Sequence, residues 1–294
     1  MQAIVQCKNL THYYGKRCIY ENLNFEIPKG RILGLLGKNG TGKTTTINIL
    51  NGYLKPRSGE CLMFGENSAK LSPETKQKVG LLIEGHVQYP FMNIAEIEKY
   101  YSAFYPKWKK EAYWDLMKLL KVDPKQKLSQ MSCGQKSQVA LGLILAQDAE
   151  LLILDDFSMG LDPGYRVLFV DFLSEYARAE EKTVFVTSHI IQDMERLIDD
   201  CMIMDYGRII LQMPVKDLLE NFRRYRFKSK GISAFDHLKD LYHPVSIKGQ
   251  TEVYSMLSKS EVAKLLSQSG INDIEIKEEK LTLEEAFIGL TGKY

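Results

Sequence analysis

The sequence of 294 residues predicts an α/β protein with a largely parallel sheet, followed by a smaller α+β domain. The first observation is a set of short continuous apolar runs, which are typical of parallel strands covered by helices on both faces. These runs lie at residues 31–36, 79–83, 151–154 and 183–187. The second observation is that helical patterns separate the runs, as in layered α/β folds. The third is a glycine-rich segment, residues 37–44, between the first run and a helix.

Alternating residues near the N-terminus predict a half-exposed antiparallel strand. Leu23, Phe25 and Ile27 alternate with Asn24 and Glu26. A period of two indicates a strand with one face exposed to solvent.

An aromatic-rich segment from residue 94 to about residue 120 has a helical pattern. We interpret its aromatic side chains as the core and outer face of a helical lobe rather than as a cofactor site. These residues are Tyr100, Tyr101, Phe104, Tyr105, Trp108, Tyr113 and Trp114.

The composition changes after Pro214. Strand-like segments at 244–248, 252–257 and 274–277, with helical patterns at 260–269 and 283–290, predict a small α+β domain. A basic run begins it, and we interpret that run as a solvated strand or linker, with contact to anionic lipid or a partner as the alternative. The run consists of Arg223, Arg224, Arg226, Lys228 and Lys230.

Composition excludes several classes of protein. The net charge of +2 is too small to produce a positive electrostatic field over the whole protein that would attract nucleic acid. No run reaches the roughly 18 apolar residues that a membrane span needs, and the N-terminus has no apolar signal core. The cysteines are odd in number and lack C-x-x-C spacing, so we expect a reducing cytosol without structural disulfides or zinc. They are Cys7, Cys18, Cys61, Cys133 and Cys201.

The glycine-rich segment fits the phosphate-binding pattern G-x-x-x-x-G-K-[ST] between a strand and a helix. Its glycines let successive backbone N–H groups face inward, and the helix N-terminus adds partial positive charge. Lys43 is predicted to reach the β- and γ-phosphates, and the Thr44 hydroxyl to hold Mg²⁺. The segment therefore predicts a site for ATP with Mg²⁺.

A second anion site is predicted at Ser132–Gln135, directly before a helix. The simpler interpretation makes Ser132 only a helix N-cap. In the functional interpretation, Ser132 and the amide of Gly134 present hydrogen-bond donors at a positively polarised helix start. Because one ATP does not need two phosphate loops from one subunit, two subunits arranged head to tail would each supply half of each site.

Polar residues end two of the predicted parallel strands. Asp155 and Asp156 follow one strand. A carboxylate at the position of Asp155 can hold Mg²⁺ through water. The next carboxylate, Asp156, can polarise the attacking water. His189 follows another strand, where it is placed to contact a γ-phosphate. The simpler interpretation of Asp155 and Asp156 is that paired acidic residues after an apolar strand are only its polar end.

Together, these motifs resemble the ATP-binding cassette family over residues 3–215. The resemblance implies a P-loop NTPase core with an antiparallel β subdomain and a helical signature subdomain at about 86–136. It places the nucleotide-binding domain at 1–215 and a C-terminal accessory domain at 216–294.

The resemblance also implies site roles. Nucleotide binding falls to Tyr14, which stacks on adenine, and to Gly37, Lys38, Asn39, Gly40, Thr41, Gly42, Lys43, Thr44 and Thr45. The catalytic residues are Lys43, Asp156 and His189; the metal residues are Thr44, Glu84 and Asp155. The signature, used in trans, is Ser132, Cys133, Gly134 and Gln135, and the D-loop is Gly160, Leu161 and Asp162. The neighbouring Tyr13 competes with Tyr14 for the stacking role.

Three positions depart from the family pattern. Cys133 replaces a signature glycine, at a position that varies within the subfamily. Glu84 replaces the family's Q-loop glutamine. In this replacement the chain is similar to the cassettes that serve ABC-2-type exporters, including peptide-antibiotic exporters. Asp156 replaces the family's catalytic glutamate. Because aspartate is one methylene shorter, its carboxylate lies about 1.5 Å farther from the attacking water. Because a misplacement of about 1 Å can cost on the order of 100-fold in rate, we expect slow hydrolysis.

The resemblance implies the ATPase subunit of an exporter, located in the cytoplasm on the inner face of the cell membrane. Its implied partners are a second cassette, identical or paralogous, and integral-membrane ABC-2-type permease subunits. The alternative is a slow or degenerate nucleotide-gated regulatory cassette in a heterodimer. A third class, the soluble translation and DNA-repair cassettes, is less favoured. Translation cassettes of this family occur as two cassettes in one chain, and repair cassettes carry long coiled-coil insertions; neither feature is present in the sequence. Nucleic acid is therefore not an expected partner.

Overall fold

The computed structural model describes residues 2–83, 89–158, 161–228, 238, 240–269, 271 and 274–292. Two compact units make up the chain, Met1–Gln212 and Met213–Tyr294.

The strands in chain order are β1 (Ala3–Tyr14), β2 (Arg17–Pro28), β3 (Ile32–Gly37), β4 (Ser58–Met63), β5 (Glu66–Asn67), β6 (Val79–Leu82), β7 (Leu151–Leu154), β8 (Thr183–Thr187), β9 (Asp200–Asp205), β10 (Arg208–Pro214), β11 (Arg223–Lys228), β12 (Tyr242–Ile247), β13 (Gln250–Ser255) and β14 (Lys277–Glu279). The α-helices are α1 (Lys43–Leu50), α2 (Pro73–Lys76), α3 (Ile94–Ser102), α4 (Lys110–Leu119), α5 (Cys133–Ala146), α6 (Pro163–Ala179), α7 (Ile191–Leu197), α8 (Val215–Asn221), α9 (Lys259–Gln268) and α10 (Leu283–Thr291). Short 3-10 turns lie at Ser68–Lys70 and Leu128–Gln130.

A largely parallel sheet forms the centre of the first unit, in the strand order β10-β9-β3-β8-β7-β6. β3 pairs in parallel with β8 and β9, and β7 pairs in parallel with β6 and β8. Every residue of β7 and β8 is buried, as continuous apolar runs require. The predicted α/β fold is confirmed, and the C-terminal ends of β7 and β8 lie beside the segment that follows β3.

The antiparallel sheet of the first unit has the order β2-β1-β4-β5. Leu23, Phe25 and Ile27 are buried, whereas Asn24 and Glu26 are exposed, as the alternation predicts. The buried face joins residues of the parallel sheet, such as Leu33 and Phe185, in one hydrophobic core. This core fixes the N-terminal hairpin next to the glycine-rich loop.

One cysteine pair contradicts the expectation from composition. Cys7 on β1 lies directly opposite Cys61 on β4, with their Cα atoms 4.3 Å apart, and the two form a disulfide. The prediction that the chain lacks disulfides is therefore wrong for this pair. Sequence spacing could not show it, because only strand pairing brings the two residues together.

The helical lobe of the first unit contains α3, α4 and α5. Its aromatic stripe is divided between interior and surface, as expected: Tyr113 is fully buried, whereas 58% of Phe104 is exposed. Tyr113 donates a hydrogen bond to the carbonyl of Ile94, and Trp108 donates one to Glu98. These bonds tie α4 and the segment before it to α3.

The second unit has an antiparallel sheet in the order β12-β13-β11-β14, with α9 packed on one face through Val262 and Leu266. The predicted strand at 274–277 is displaced toward the C-terminus, because β14 is Lys277–Glu279.

The basic run of the second unit is a strand rather than a linker. Arg224 and Arg226 project from β11 and form ion pairs with Glu252 and Glu279. Arg224 also contacts Glu285 at 3.2 Å. Because these carboxylates already pair with the partly exposed arginines, this part of the run is an ion-paired strand rather than a solvated linker, and an anionic-lipid contact is not favoured for it. Lys230 lies outside the described residues.

Candidate functional site: a nucleotide cleft at the edge of the parallel sheet

The glycine-rich loop connects β3 to α1, and its shape depends on glycine at two positions. Gly40 and Gly42 have φ values of +79° and +107°, which side-chain-bearing residues rarely adopt. A Cβ atom on Gly42 would also lie 2.8 Å from Cγ2 of Ile19. The loop can therefore approach the β1–β2 hairpin closely only with glycine at this position.

The ammonium group of Lys43 is enclosed by its own loop. Lys43 is buried, and its Nζ donates hydrogen bonds to the carbonyls of Gly37 at 2.7 Å and Lys38 at 3.1 Å. Burial lowers the pKa of Lys43 below its ordinary value, although the nearby carboxylates of Asp155 and Asp156 act in the opposite direction. A buried ammonium beside the loop is a strong point charge for a phosphate.

These residues open into a cleft of about 350 Å³. It is lined by Tyr14, Arg17, Ile19, Asn39, Gly40, Gly42, Lys43, Thr44, Thr45, Asp155, Asp156, Thr187, Ser188 and His189. The structure thus brings the predicted phosphate loop, acidic pair and histidine to one place. Gly37, Lys38 and Thr41 shape the loop but do not line the cleft.

Four lining residues were missed by reasoning from the sequence: Arg17, Ile19, Thr187 and Ser188. Arg17 pairs with Tyr14 across the β1–β2 hairpin, and its Nη2 approaches Gly40. A basic residue just after the predicted aromatic could have indicated it. Thr187 is the polar end of an otherwise apolar strand, which is the signal that could have identified that residue.

Asp155 and Asp156 occupy different positions at the end of β7. Asp155 is buried, and its Oδ1 accepts a hydrogen bond from the Thr187 hydroxyl at 2.6 Å. Asp156 has a φ of +47°, and its backbone N–H donates to the Thr187 hydroxyl oxygen at 2.9 Å. The left-handed backbone turns the Asp156 side chain toward His189.

Asp156 and His189 contact each other at the cleft. The backbone N–H of His189 donates to Asp156 Oδ1 at 3.2 Å, and Nε2 of the imidazole lies 3.3 Å from Oδ2. Oδ2 is buried and, apart from this contact with the imidazole, accepts no hydrogen bond from the described residues. Its capacity to accept hydrogen bonds is therefore incompletely used.

The position of Tyr14 distinguishes it from Tyr13. Tyr14 lines the cleft and is half exposed, and its hydroxyl lies 3.4 Å from Oγ1 of Thr45. Tyr13 does not line the cleft; its hydroxyl bonds to Glu21 and its ring lies under Arg57. The geometry thus favours Tyr14 for stacking on a base.

The signature segment lies outside this cleft. Ser132 is the N-cap of α5, with its hydroxyl accepting from the backbone N–H of Gln135 and the Gln135 side chain accepting from the N–H of Ser132. Ser132 and Cys133 are exposed, whereas Gly134 is buried. The simple N-cap interpretation is therefore correct, and the exposed helix start also remains open to a partner.

The D-loop residues flank the start of α6. Leu161 is buried, and Asp162 is the exposed N-cap residue of the helix, without a side-chain cap bond. Gly160 and the predicted metal residue Glu84 lie outside the described residues.

Comparison with known proteins agrees with this geometry. Residues 20–158 match the family model described as ABC transporter. The chain is also 30% identical over 301 residues to the bacitracin transport ATP-binding protein of Bacillus licheniformis, across 99% of this chain and 98% of that protein. The chain belongs to the ABC transporter family.

Two further likenesses are to a second curated relative and to a solved structure. The linearmycin resistance ATP-binding protein of Bacillus subtilis is 27% identical over 316 residues, which covers 99% of each protein. A solved dimeric ATP-binding cassette in a post-hydrolysis state, bound to ADP and Pi, matches with a TM-score of 0.62 and 21% identity. That match covers 72% of this chain and 98% of the other, and it shows the cassette fold.

As an ABC cassette, the chain is an ATP-binding subunit with the ATPase chemistry of its family. The family and function predicted from the sequence are confirmed. Among the described residues, no helix has both the length and the apolar character needed to cross a membrane.

The residues present in the cassette also fit a magnesium ion. The Thr44 hydroxyl and the Asp155 carboxylate line the same cleft, and oxygen donors are the ligands that Mg²⁺ prefers. The described residues contain no group of three or more His, Cys, Asp or Glu side chains that could hold a metal by themselves. Mg²⁺ commonly binds through one or two protein oxygens together with water and phosphate, and Thr44 and Asp155 can supply such oxygens.

Proposed function

We propose that this cassette binds ATP with Mg²⁺ in the cleft and hydrolyses it to drive export through separate ABC-2-type membrane subunits. The observation that carries the proposal is the convergence of the glycine loop, Lys43, Asp155, Asp156 and His189 on one cleft. The names of the bacitracin and linearmycin relatives add the transport context, and they make antibiotics the cargo class to test first.

Each side chain has a distinct role in the proposed reaction, the transfer of the γ-phosphoryl group to water. Lys43 and the loop amides hold the phosphates, and Thr44 and Asp155 hold Mg²⁺. When bound, the ion neutralises charge that develops on the β- and γ-phosphates. Asp156 accepts a hydrogen bond from the attacking water, and His189 contacts the γ-phosphate. The Oδ2 of Asp156, which has no hydrogen bond from the described residues beyond its contact with His189, supports its role as the acceptor.

A second cassette completes the site in this proposal. The exposed start of α5 at Ser132 and Cys133 does not line the cleft of its own chain. Its N–H groups and helix dipole form a suitable contact for the nucleotide of a facing subunit. The proposed assembly is therefore a head-to-tail dimer that closes around two ATP molecules.

The membrane subunits have a suitable docking place on the first unit. A cavity of about 790 Å³ opens between the core and the helical lobe, and its lining includes Tyr53, Tyr101, Tyr105 and Ile83. Aromatic and aliphatic side chains of this kind receive a short partner helix. Binding there would place the cassette on the inner face of the cell membrane.

Asp156 supports a second candidate function, a slow regulatory cassette in a heterodimer. Its side chain is one methylene shorter than glutamate and contacts His189, so its carboxylate lies back from the position that a longer side chain would reach. In this alternative the ATP-driven closure persists and the turnover is minor.

The two functions are separated by measuring ATP-dependent dimerisation and phosphate release on the same purified chain, alone and with its co-purified membrane partner. Dimerisation with phosphate release that the membrane partner stimulates supports the exporter subunit. Dimerisation without measurable phosphate release supports the regulatory cassette. Absence of both ATP-dependent dimerisation and phosphate release would contradict the proposed site.

A further inference from the structure

A single hydroxyl group connects the two carboxylate residues of the cleft. Thr187, which is 1% exposed, donates from its hydroxyl to Asp155 Oδ1 at 2.6 Å. The same oxygen accepts the backbone N–H of Asp156 at 2.9 Å. Because the Asp156 N–H already donates to this oxygen, the direction of both bonds is determined, and the Thr187 proton points at Asp155.

The parallel sheet places Thr187 at this position. β7 and β8 pair in register, with Leu154 opposite Val186, so Asp155 and Thr187 are the next residues at the same edge. A β-branched side chain in a strand has few rotamers, which fixes the direction of its hydroxyl. Valine would fill the same space without either hydrogen bond.

The two bonds act on different features of the site. The bond to Asp155 engages Oδ1 of a carboxylate that would hold Mg²⁺, and it orients that carboxylate. The bond from Asp156 supports a backbone with a φ of +47°, which is uncommon for a residue other than glycine. His189 follows Thr187 by two residues, and its contacts with Asp156 depend on the same strand end.

We infer that Thr187 is a positioning residue that sets the Mg²⁺ affinity of this site by orienting Asp155, and that it holds Asp156 in its left-handed conformation. The inference rests on the proposed function, because it assumes that Asp155 holds Mg²⁺. It concerns a residue that the motif pattern did not identify. Hydrogen-bond partners of metal ligands commonly change metal affinity by about 10- to 100-fold when they are removed.

The test measures ATP affinity by titration calorimetry on the full chain, at a series of Mg²⁺ concentrations and in EDTA. Thr187→Val is expected to raise, by about 10-fold or more, the Mg²⁺ concentration that gives half of the Mg²⁺-dependent increase in ATP affinity. The ATP affinity in EDTA is expected to stay unchanged. Thr187→Ser retains the hydroxyl and is expected to restore the wild-type Mg²⁺ dependence. A structural role alone would change thermal unfolding without changing the Mg²⁺ dependence.

Thr183→Val is the matched control. Thr183 lies at the opposite end of β8, is 1% exposed, and accepts the backbone N–H of Gly30 at 2.9 Å. This variant removes an equally buried hydroxyl from the same strand, away from the cleft, and its Mg²⁺ dependence is expected to match the wild type. If Thr187→Val does not fold, Thr187→Cys replaces it. A thiol still donates weakly, whereas valine donates nothing, so the rise in the Mg²⁺ requirement is expected to be smaller.

Asp155→Asn separates failure of this inference from failure of the proposed function. If Asp155→Asn raises the Mg²⁺ requirement and the folded Thr187 variants do not, the positioning role is wrong and the metal assignment stands. If Asp155→Asn itself leaves the Mg²⁺ dependence unchanged, the proposed metal site is wrong.

Discussion

Asp156 and His189 both line the cleft and form a close pair, with the His189 N–H 3.2 Å from Asp156 Oδ1 and Nε2 3.3 Å from Oδ2. A glutamate at position 156 would extend past this contact by about 1.5 Å, toward the place where water meets the γ-phosphate. The pair therefore connects the unusual carboxylate to the proposed rate of hydrolysis.

Replacing Asp156 by glutamate tests this connection. Asp156→Glu is expected to raise the steady-state phosphate release by about 10- to 100-fold, because a misplacement of about 1 Å has an effect of that size. Asp156→Asn is the matched control, and it is expected to lower turnover because it removes the charge. A turnover of Asp156→Glu no faster than that of the wild type would argue against the slow-hydrolysis hypothesis.

The buried ammonium of Lys43 is expected to be essential. Lys43→Ala removes the charge that lies within the phosphate loop, so we expect loss of ATP binding or turnover. Lys55→Ala changes an exposed lysine outside the cleft and serves as the control in the same calorimetric and phosphate-release measurements. Unchanged affinity and turnover in Lys43→Ala would refute the phosphate-loop assignment.

The choice between Tyr14 and Tyr13 is open to a direct comparison. Tyr14→Ala is expected to weaken ATP binding by about 5- to 160-fold, since a base stacked on an aromatic ring contributes roughly 1–3 kcal/mol. Tyr13→Ala, in which the neighbouring ring outside the cleft is removed, is expected to bind as the wild type does. Titration of each variant with ATP measures the effect, and a larger loss in Tyr13→Ala would reverse the assignment.

Complementation between two inactive variants tests the shared site. Ser132→Arg blocks the signature surface and Lys43→Ala disables the phosphate loop, so each homodimer is expected to be inactive. In a mixed dimer both defects fall in one composite site and leave the other intact, so mixing is expected to restore part of the phosphate release. If each chain uses its own signature, mixing restores nothing.

A partly buried ion cluster gives a pH-dependent prediction for stability. Burial acts to raise the pKa of Asp148, but hydrogen bonds from Lys182 and Lys109 outweigh it and hold this pKa below its usual range. Asp148 contributes stability above the unfolded aspartate pKa of about 3.9, and this contribution is lost as the pH falls through the lower folded pKa.

The matching variant is Asp148→Asn. Asparagine suits the φ of +55° at this position, so the variant removes charge with little change of backbone. We expect a loss of about 1–3 kcal/mol in the free energy of unfolding at pH 7, and a loss that becomes progressively smaller as the pH is lowered below the unfolded aspartate pKa of about 3.9. The lower of the two pH values is therefore chosen below this unfolded pKa. Denaturant titrations at both pH values measure it; an equal loss at the two pH values would contradict the ionic explanation.

Much of the fold was predictable because local patterns decide it. The continuous apolar runs predicted β7 and β8, and the alternation from Leu23 to Ile27 predicted the half-exposed strand. Contacts between distant segments were not predictable from such patterns. Examples are the disulfide between Cys7 and Cys61 and the pairing of Arg224 with glutamates on other elements.

The sequence by itself determined the phosphate loop, the acidic pair and the histidine, because spacing next to strands and helices predicts what each can bind. Only the tertiary structure decided that Tyr14 rather than Tyr13 enters the cleft and that Arg17 and Thr187 belong to it. It also decided that Asp156 contacts His189. The physical reason is that side-chain direction depends on strand register and on φ at single residues, which arise when separate strands pair.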